Sequence, residues 1–460
     1  MDMLRRMPKA GKPPRVVITG MGPITALGAG VVSLWDAFQQ KAMPAVITQQ
    51  VESCNGGRTQ YRMYSPTPEM LRNLQVPGVY VDRLREWYGE SIDPDHLNLI
   101  QAIKLALDDS GLRYDEERND ISLFLLHENP GIEKFFSECL GWVFDTFVKP
   151  RRESFTSQNR AVTKDKATFL ANTYKQLVQG TYNLQPFMFL YALTKAFKFH
   201  GYSLYVNNAC ASGLFAMESA YRQLISGQSE VAVVAGIDWP SRYPYKNLWF
   251  DWEGLYSSRE AITPFTSERD GFLLGDAACA LIFEEYEHAL SRNASVYAEY
   301  VGGGFDLEGW KVTIPSGTPE SYVRCVRRAL NNAGVLEDEI DLINPHGVST
   351  GVGDAYESRG LMEIFGSSLK EKMLVSLKPL LGHTLGVCGL AETTVVLLML
   401  KKQLVVAGLD AKGTDASLHL ELRNGWGSQP LRHALKISSG FAGYNGAAVF
   451  RAPTLLESRL

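Results

Sequence analysis

Residues 206–214 read Val-Asn-Asn-Ala-Cys-Ala-Ser-Gly-Leu, and they separate an apolar, β-favouring run from a helical pattern. The apolar run covers residues 202–206, and the helical pattern covers residues 214–224. Small residues on both sides of Cys210 permit a sharp turn between the two elements. The stretch therefore predicts a strand, a tight corner and a helix, with one cysteine at the corner.

The position of Cys210 suits a nucleophile. At a helix N-terminus the unpaired N–H groups and the dipole favour an anion. A thiol there is biased toward the thiolate, which is the form that attacks carbon. Backbone N–H groups of the corner could also stabilise an oxyanion. A buried structural cysteine is the alternative, and the corner alone leaves it open.

The composition is that of a globular enzyme. The chain has 460 residues, which predicts two domains or one large duplicated domain. Its formal net charge of −4 argues against nucleic acid as the main partner. No apolar run reaches the roughly 18 residues of a membrane span, and the first residues lack the apolar segment of a signal peptide. Scattered cysteines without paired spacing fit a reducing compartment, so we expect a cytoplasmic protein.

Two pairs of similar segments indicate an internal duplication. Residues 103–112 and 326–335 both end a helical pattern with Ala-Leu, three further residues, Gly and an aliphatic residue. Residues 233–238, Val-Val-Ala-Gly-Ile-Asp, are echoed by residues 405–410, Val-Val-Ala-Gly-Leu-Asp. Because the pairs occur in the same order, we predict βαβ-type units in both halves of the chain.

The duplication suggests boundaries for the two halves. We expect a loose tail at residues 1–14, an N-terminal half at residues 15–290 and a C-terminal half at residues 291–460. The first half is longer, and its surplus lies mainly in an aromatic and charged insertion at about residues 130–185. An insertion of this size could cap a pocket or form a subunit contact.

Other patterns predict the first elements of the chain. Residues 15–22 read as a buried strand that ends at glycine, and residues 34–40 as a short helix. A longer helix is expected at residues 96–110, with Gly111 as its terminator. Residues 43–90, which carry several prolines and aromatic residues, read as irregular.

The second half holds further candidate site residues. Residues 340–347 read as a strand that ends in His346 and a glycine. Residues 375–384 present Lys378 and His383 near a glycine corner, and residues 438–446 form a glycine-rich loop before another strand. Each histidine taken alone is more often a surface or core residue. Together with Cys210, the two suggest one site at the edge of a sheet.

This set of motifs resembles the β-ketoacyl-[acyl carrier protein] synthases, the ketosynthases of the thiolase superfamily. The resemblance spans nearly the whole chain, and the cysteine, histidine and lysine motifs follow the family's order. It implies an α/β fold of the duplicated thiolase-like type, layered α-β-α-β-α with two mixed sheets. Further matching segments are residues 15–22, 269–276, 284–289 and 440–446.

The resemblance also implies roles for the central residues. Cys210 would take an acyl group from a carrier-protein thioester. His346 and His383 would donate hydrogen bonds to the enolate that forms when a malonyl-type thioester loses CO2. They would act best as neutral imidazoles, each held in one tautomer by a partner. Phe441 and Gly440 match the family's gating loop, with the Phe441 N–H completing the oxyanion hole, although Phe441 could instead anchor a tight turn.

Supporting roles follow from the same resemblance. Lys378 would support the site through an acidic partner, for which Glu357 is the candidate, whereas its alternative is a solvated helix residue. Asp354 would brace the loop. The remaining candidates would line the substrate channel, and they are Thr350, Thr384 and Trp249.

Four residues depart from the family pattern. Val348 stands where threonine is usual, and Pro345 stands where alanine is usual. Ala442 replaces a gating-loop glycine, which should restrict the loop. Asn208 replaces threonine or aspartate two residues before Cys210. No catalytic group is lost. The departures and the insertion at residues 130–185 nevertheless argue against a standard housekeeping enzyme, so we expect a specialised member of type II polyketide or fatty-acid-like assembly.

The activity implied is a decarboxylative Claisen condensation between the acyl group on Cys210 and malonyl-[acyl carrier protein]. It would elongate a fatty acyl or polyketide chain. Two alternatives stay open. The first is an acyltransferase that joins the acyl group to an amine or hydroxyl, and the second is a non-catalytic chain-length partner subunit. The presence of Cys210, His346, His383 and Lys378 disfavours both.

Partners and cofactors follow from the same resemblance. We expect an acyl carrier protein as partner, and either a homodimer or a heterodimer with a related ketosynthase-like subunit. Substrates would arrive as phosphopantetheine thioesters, without another cofactor. No metal site is indicated, because no cluster has ligand spacing. Residues 302–304 lack the pattern of a dinucleotide site.

Overall fold

The computed structural model describes most of the chain outside its first residues and one long internal segment. The predicted tail and the predicted insertion therefore lie largely outside the described residues, as does most of the echo at residues 405–410. The described residues are 13–51, 60–90, 92–114, 117–132, 181–243, 245–406, 413–420 and 427–457, with isolated positions at 135, 172, 174 and 175.

The first half carries eight described strands and eight described helices. The strands are β1 (Val16–Thr25), β2 (Gly28–Ala29), β3 (Val46–Gln50), β4 (Gln60–Tyr64), β5 (Ile121–Leu126), β6 (Ser203–Val206), β7 (Val231–Asp238) and β8 (Ala277–Glu285). The helices are α1 (Val31–Gln39), α2 (Pro68–Asn73), α3 (Gly78–Tyr88), α4 (Pro94–Ser110), α5 (Pro186–Phe197), α6 (Ser212–Ile225), α7 (Tyr245–Trp252) and α8 (Tyr286–Ser291).

The second half carries seven described strands and five described helices. The strands are β9 (Ala298–Leu307), β10 (Ile340–Asn344), β11 (Met373–Leu374), β12 (Leu404–Val405), β13 (Gly427–Ser428), β14 (His433–Gly440) and β15 (Tyr444–Arg451). The helices are α9 (Glu320–Ala333), α10 (Gly351–Phe365), α11 (Lys378–Leu381), α12 (Cys388–Lys402) and α13 (Thr454–Glu457).

The sheet topology repeats between the two halves. The strands run in the order β6-β5-β7-β8-β1 in the first half and β11-β10-β14-β15-β9 in the second. Corresponding pairs also share their direction, since β5–β6 and β10–β11 are parallel whereas β7–β8 and β14–β15 are antiparallel. The two mixed sheets join into one continuous sheet, because β1 pairs with β9 over three residues.

One of the two echoes falls on equivalent elements. Helices α4 and α9 both end at glycines in the left-handed conformation, Gly111 and Gly334. Helix α4 leads into β5 and α9 into β10, and these strands hold equivalent places in the two sheets. The prediction drawn from the other pair of segments, residues 233–238 and 405–410, was wrong. The counterpart of β7 in the second sheet is β14, whereas β12 pairs only with β13 in the described part of the chain. The similarity of residues 233–238 and 405–410 is therefore local.

The expected layers follow from the hydrophobic cores. A central core joins α6 and α12 to the inner faces of both sheets. A second core packs α4 and α5 on the outer face of the first sheet, and a third packs α9 and α10 on the outer face of the second. Strands β5 and β7 are buried along their whole length, as strands covered on both faces should be.

The region at residues 43–90 is not irregular, contrary to the sequence-based expectation. Strands β3 and β4 form a two-stranded antiparallel sheet, and helices α2 and α3 follow them. Strand β3 alternates between exposed and half-buried residues, so it lacks the apolar run by which buried strands are recognised.

Among the helices that the structure describes, none combines the length and hydropathy needed to cross a bilayer.

The two central helices touch at a pair of glycines. A Cβ atom on Gly213 of α6 would lie 2.8 Å from the Cα atom of Gly389 of α12, and one on Gly389 would lie 2.9 Å from the Cα atom of Gly213. Any side chain at either position would push the helices apart. The contact therefore sets the spacing of the central layer.

Gly213→Ala should lower the free energy of unfolding by about 1–3 kcal/mol, because the added methyl group overpacks the contact. Urea denaturation measures the change. Gly317→Ala is the matched control, since a Cβ atom there meets nothing within 4 Å. Equal stability of the two variants would show that the central helices can separate without cost.

Candidate active site

The predicted site residues meet where parallel strands of both halves end. Cys210 follows β6, His346 follows β10, and Gly440 ends β14. His383 follows α11, and its backbone N–H donates to the carbonyl of Leu273 at 2.9 Å. The topology therefore brings residues from distant parts of the chain to one edge, as the sequence predicted.

Cys210 sits at a strained corner before helix α6. Ala209 has φ 49°, in the left-handed region that non-glycine residues seldom adopt. The Cys210 Sγ atom lies 3.3 Å from Nε2 of His383. Burial raises the pKa of the thiol well above its usual range, and Glu128 adds to the effect. The thiolate bias expected from the helix N-terminus is therefore opposed by the surroundings.

The two histidines face each other beside the thiol. Their ring centroids are 5.4 Å apart at an interplanar angle of 81°. Burial lowers the pKa of both imidazoles well below the usual range, and the nearby Lys378 lowers it further. Both rings are therefore neutral at pH 7. Neither Nδ1 atom has a hydrogen-bond partner among the described residues, so the expected tautomer-fixing partners are not found there.

Lys378 has an acidic partner, but it is not Glu357. The Lys378 ammonium lies 2.5 Å from Oε1 of Glu392, and that of Lys436 lies 2.7 Å from Oε2 of the same carboxylate. All three side chains are buried. Burial would raise the pKa of Glu392, but the two lysines lower it. Sequence reasoning missed Glu392 and Lys436, although each is an isolated charge in an apolar helix or strand pattern, which is a usable signal.

Glu357 and Asp354 instead hold the loop that carries His346. Glu357 accepts the backbone N–H groups of His346 at 2.8 Å and Gly347 at 2.7 Å. Asp354 accepts the N–H of Ser349 at 3.0 Å. Burial raises the pKa of Asp354 to about 7, even though a second N–H, that of Phe265, is bonded to it. Glu357 is buried, so the alternative of a solvated helix residue is wrong.

Phe441 is half-buried between aromatic rings of helix α7. Its ring centroid lies 5.4 Å from that of Trp249 and 5.8 Å from that of Phe250. Ala442 has φ 61°, and its N–H donates to the carbonyl of Val312 at 2.7 Å. The replacement of glycine by alanine at position 442 therefore places a left-handed alanine next to the predicted gate.

A cavity of about 330 Å³ opens onto these residues. Its wall includes Thr350, Val348 and Phe250. Trp249, which was predicted to line the channel, packs against the Phe441 ring and is not part of the wall. Thr384 is buried away from the wall, and its hydroxyl has no partner among the described residues. The wall also includes Cys210, His346, His383, Gly440 and Phe441.

A second buried ion pair lies near the thiol, and sequence reasoning missed it. The Oε1 atom of Glu128 is 4.0 Å from Cys210 Sγ, and its Oε2 atom is 3.1 Å from Nζ of Lys246. Lys246 lies in the first turn of α7.

The described residues contain no group of three or more histidine, cysteine, aspartate or glutamate side chains arranged to hold a metal ion.

A thiol beside two neutral imidazoles in a cavity can hold an acyl group as a thioester and stabilise an enolate next to it. The duplicated layered fold and this site define an acyl-transferring enzyme of the thiolase-like class. The chain belongs to the β-ketoacyl synthase family, whose N-terminal domain model matches residues 148–289 and whose C-terminal domain model matches residues 297–412. Enzymes of this family elongate acyl chains by Claisen condensation.

Individual relatives agree with this assignment. The chain is 26% identical over 451 residues to 3-oxoacyl-[acyl-carrier-protein] synthase 2 of Vibrio cholerae, covering 95% of this chain and 99% of that protein. Two solved structures share its fold. One is a type II polyketide ketosynthase in complex with its acyl carrier protein, with TM-score 0.75, 24% identity and coverage of 96% and 100%. The other is the ishigamide ketosynthase/chain length factor, with TM-score 0.76, 22% identity and coverage of 96% and 99%.

The depressed histidine pKa values predict a loss of stability in acid. The unfolded chain takes up protons below about pH 6.5, whereas the folded protein holds both rings neutral to lower pH, so unfolding becomes easier as the pH falls. Each ring contributes up to about 1.4 kcal/mol per pH unit below that point. His346→Gln should lose less stability than the wild type between pH 7.5 and 5.5 in urea titrations. The exposed His200→Gln is the control, and equal losses in all three proteins would contradict the prediction.

Glu392→Gln should destabilise the protein by about 3–5 kcal/mol, because it leaves two buried lysines without a counter-charge. Chemical denaturation at pH 7.5 checks the value. The control is Glu363→Gln, which breaks an exposed 3.8 Å pair with Arg327 and should cost less than about 1 kcal/mol. A small effect of Glu392→Gln would mean that the lysines lose their charge or find other partners.

Proposed function

We propose that this chain is a ketosynthase that condenses an acyl group held on Cys210 with a malonyl thioester, and that both substrates arrive on an acyl carrier protein. The contact of 3.3 Å between Cys210 Sγ and His383 Nε2, in a cavity that His346 also lines, is the observation that supports it best. The product would be a 3-ketoacyl thioester, longer by two carbons.

The first step is acyl transfer to the enzyme. The Cys210 sulfur attacks the thioester carbonyl, and the carrier's pantetheine thiol leaves. In the second step the malonyl thioester loses CO2, and N–H groups of His346 and His383 stabilise the enolate oxygen. The enolate carbon then attacks the acyl-Cys210 carbonyl, a carbon–carbon bond forms, and the cysteine sulfur leaves.

The charges around the site fit this order of events. A neutral imidazole carries one N–H, which can donate a hydrogen bond to the enolate oxygen. The pair of lysines at Glu392 adds positive charge where negative charge develops. Phe441 and Gly440 lie on the cavity wall, where the family's gating loop would admit the acyl chain. Thr350 would contact the pantetheine arm.

The partners are part of the same proposal. The polyketide ketosynthase structure described above contains an acyl carrier protein, and the Vibrio cholerae relative bears that partner in its name. We propose that this chain uses a carrier protein as well, in the cytoplasm and with no cofactor beyond the phosphopantetheine arm. A homodimer and a heterodimer with a ketosynthase-like subunit both stay compatible with the fold.

A carrier-protein assay separates the three candidate activities. Acyl-carrier and malonyl-carrier are mixed with the enzyme, and both the released CO2 and the intact mass of each protein are followed. The wild type should gain one acyl group, release CO2 and form a 3-ketoacyl carrier. Cys210→Ala should lose the acyl adduct, whereas His346→Ala should keep it without condensing. Cys325→Ala, a buried cysteine on α9, is the control and should behave as the wild type does.

Other outcomes contradict the proposal in distinct ways. An acyl adduct that never yields CO2 with a malonyl donor would indicate acyl transfer to another acceptor. The absence of any adduct would indicate a non-catalytic subunit.

A further inference from the structure

The carboxylate of Glu128 lies beside the nucleophile. Its Oε1 atom lies 4.0 Å from Cys210 Sγ, within the range in which a thiol donates a hydrogen bond to oxygen. The side chain is 11% exposed, and that of its partner Lys246 is 8% exposed. A charged pair is therefore buried directly against the reacting sulfur.

The fold holds Glu128 rigidly. Its backbone N–H donates to Oδ1 of Asp238 at 3.0 Å, and Oδ2 of Asp238 accepts the N–H of Val387 at 3.2 Å. The preceding residue, His127, lies 3.3 Å from Asp238 and 3.0 Å from Asp95 through its two ring nitrogens. The end of β5 is thus tied both to β7 and to the segment that precedes α12.

The thiol needs a proton acceptor when it attacks a thioester. His383 is closer, at 3.3 Å, but its burial beside Lys378 makes the imidazolium form costly. The condensation step also requires an N–H on a histidine that faces the enolate oxygen, and a nitrogen that carries this hydrogen cannot accept the thiol proton. Glu128 has no such second duty.

We propose that Glu128 is the proton acceptor for the Cys210 thiol during acyl transfer; this inference rests on the proposed function. The S–H bond of Cys210 breaks and an O–H bond forms on Glu128. The sulfur forms a bond to the acyl carbon, and the bond from that carbon to the pantetheine sulfur breaks. Glu128 then returns the proton to the departing pantetheine thiolate, so that no co-reactant is needed.

The electrostatic surroundings favour this shuttle. Burial raises the pKa of Glu128, and Lys246 limits the rise while Asp238 adds to it. A carboxylate with a raised pKa is a stronger base than an exposed one, which suits proton transfer from a thiol. Lys246 also balances the charge of Glu128 before the proton moves. Several titratable and charged groups face Glu128, and among the described residues they are Cys210, Lys246, Asp238, His127, Tyr205, Tyr245 and Cys388.

Glu128→Gln should move two properties of Cys210 in opposite directions. Removal of a neighbouring negative charge lowers the pKa of the thiol, so iodoacetamide should alkylate Cys210 faster at pH 7.5. Acylation by an acyl-carrier, followed by rapid quench and intact mass, should slow at least tenfold because the proton acceptor is gone. A purely structural residue would slow both reactions or neither.

Further variants complete the test. Glu128→Asp keeps a carboxylate and should acylate faster than Glu128→Gln, whereas the exposed Glu287→Gln is the control and should match the wild type. Wild-type acylation should also slow as the pH falls and Glu128 becomes protonated. Acylation of Glu128→Gln at the wild-type rate, or faster acylation in parallel with faster alkylation, would overturn the proposed role of Glu128. The proposed function would still stand. If neither an acyl-carrier nor a small acyl-pantetheine analogue acylates the wild type, the proposed function fails as well.

Discussion

The contact between Gly213 and Gly389 is the constraint on which the site depends. Helices α6 and α12 each begin within a few residues of a functional corner, so their separation sets the distance between the nucleophile and a histidine. Next to the glycines, the Cys388 thiol donates to the Cys210 carbonyl at 3.3 Å. A side chain between the helices would therefore move the Cys210 sulfur away from His383. Close packing in the centre of the fold is a condition for the chemistry at its edge.

Burial and nearby buried charge then determine the protonation states of His346 and His383. One carboxylate, Glu392, is shared by Lys378 and Lys436, so this cluster has one more positive charge than negative. Such a surplus is unfavourable in a protein interior unless negative charge appears nearby. Burial lowers the pKa of the two imidazoles, the lysines lower it further, and both rings stay neutral. In the proposed reaction the same positive charge would stabilise an enolate or oxyanion. In the proposed reaction the lysines act through their electric field rather than by carrying protons.

The sequence predicted the residues that sit in short motifs and missed those that act through distant partners. Cys210, His346 and His383 each lie at a glycine or small-residue corner after an apolar run, and parallel strand ends share one edge of a sheet. By contrast, Glu392 could not be assigned to Lys378, because Glu357 was equally available and only the packing of α12 decides between them. Glu128 follows a buried strand 82 residues before Cys210, so nothing local in the sequence connects the two residues. The hairpin of β3 and β4 was missed because its alternation is between exposed and half-buried residues rather than polar and apolar ones.

The gating loop shows how a departure from the family pattern can be accommodated. Ala442 occupies a left-handed conformation that costs alanine roughly 1–2 kcal/mol. Two backbone hydrogen bonds hold the loop against a segment that lines the same cavity. The Ala442 N–H donates to the Val312 carbonyl, and the Glu308 N–H donates to the Gly443 carbonyl at 2.9 Å. A swing of Phe441 must therefore break these bonds or carry that segment along. Alanine at this position restricts the loop through its own backbone, and the two hydrogen bonds restrict it through the cavity wall. If Phe441 gates the thiol as proposed, entry depends on the cavity wall as well as on the phenylalanine.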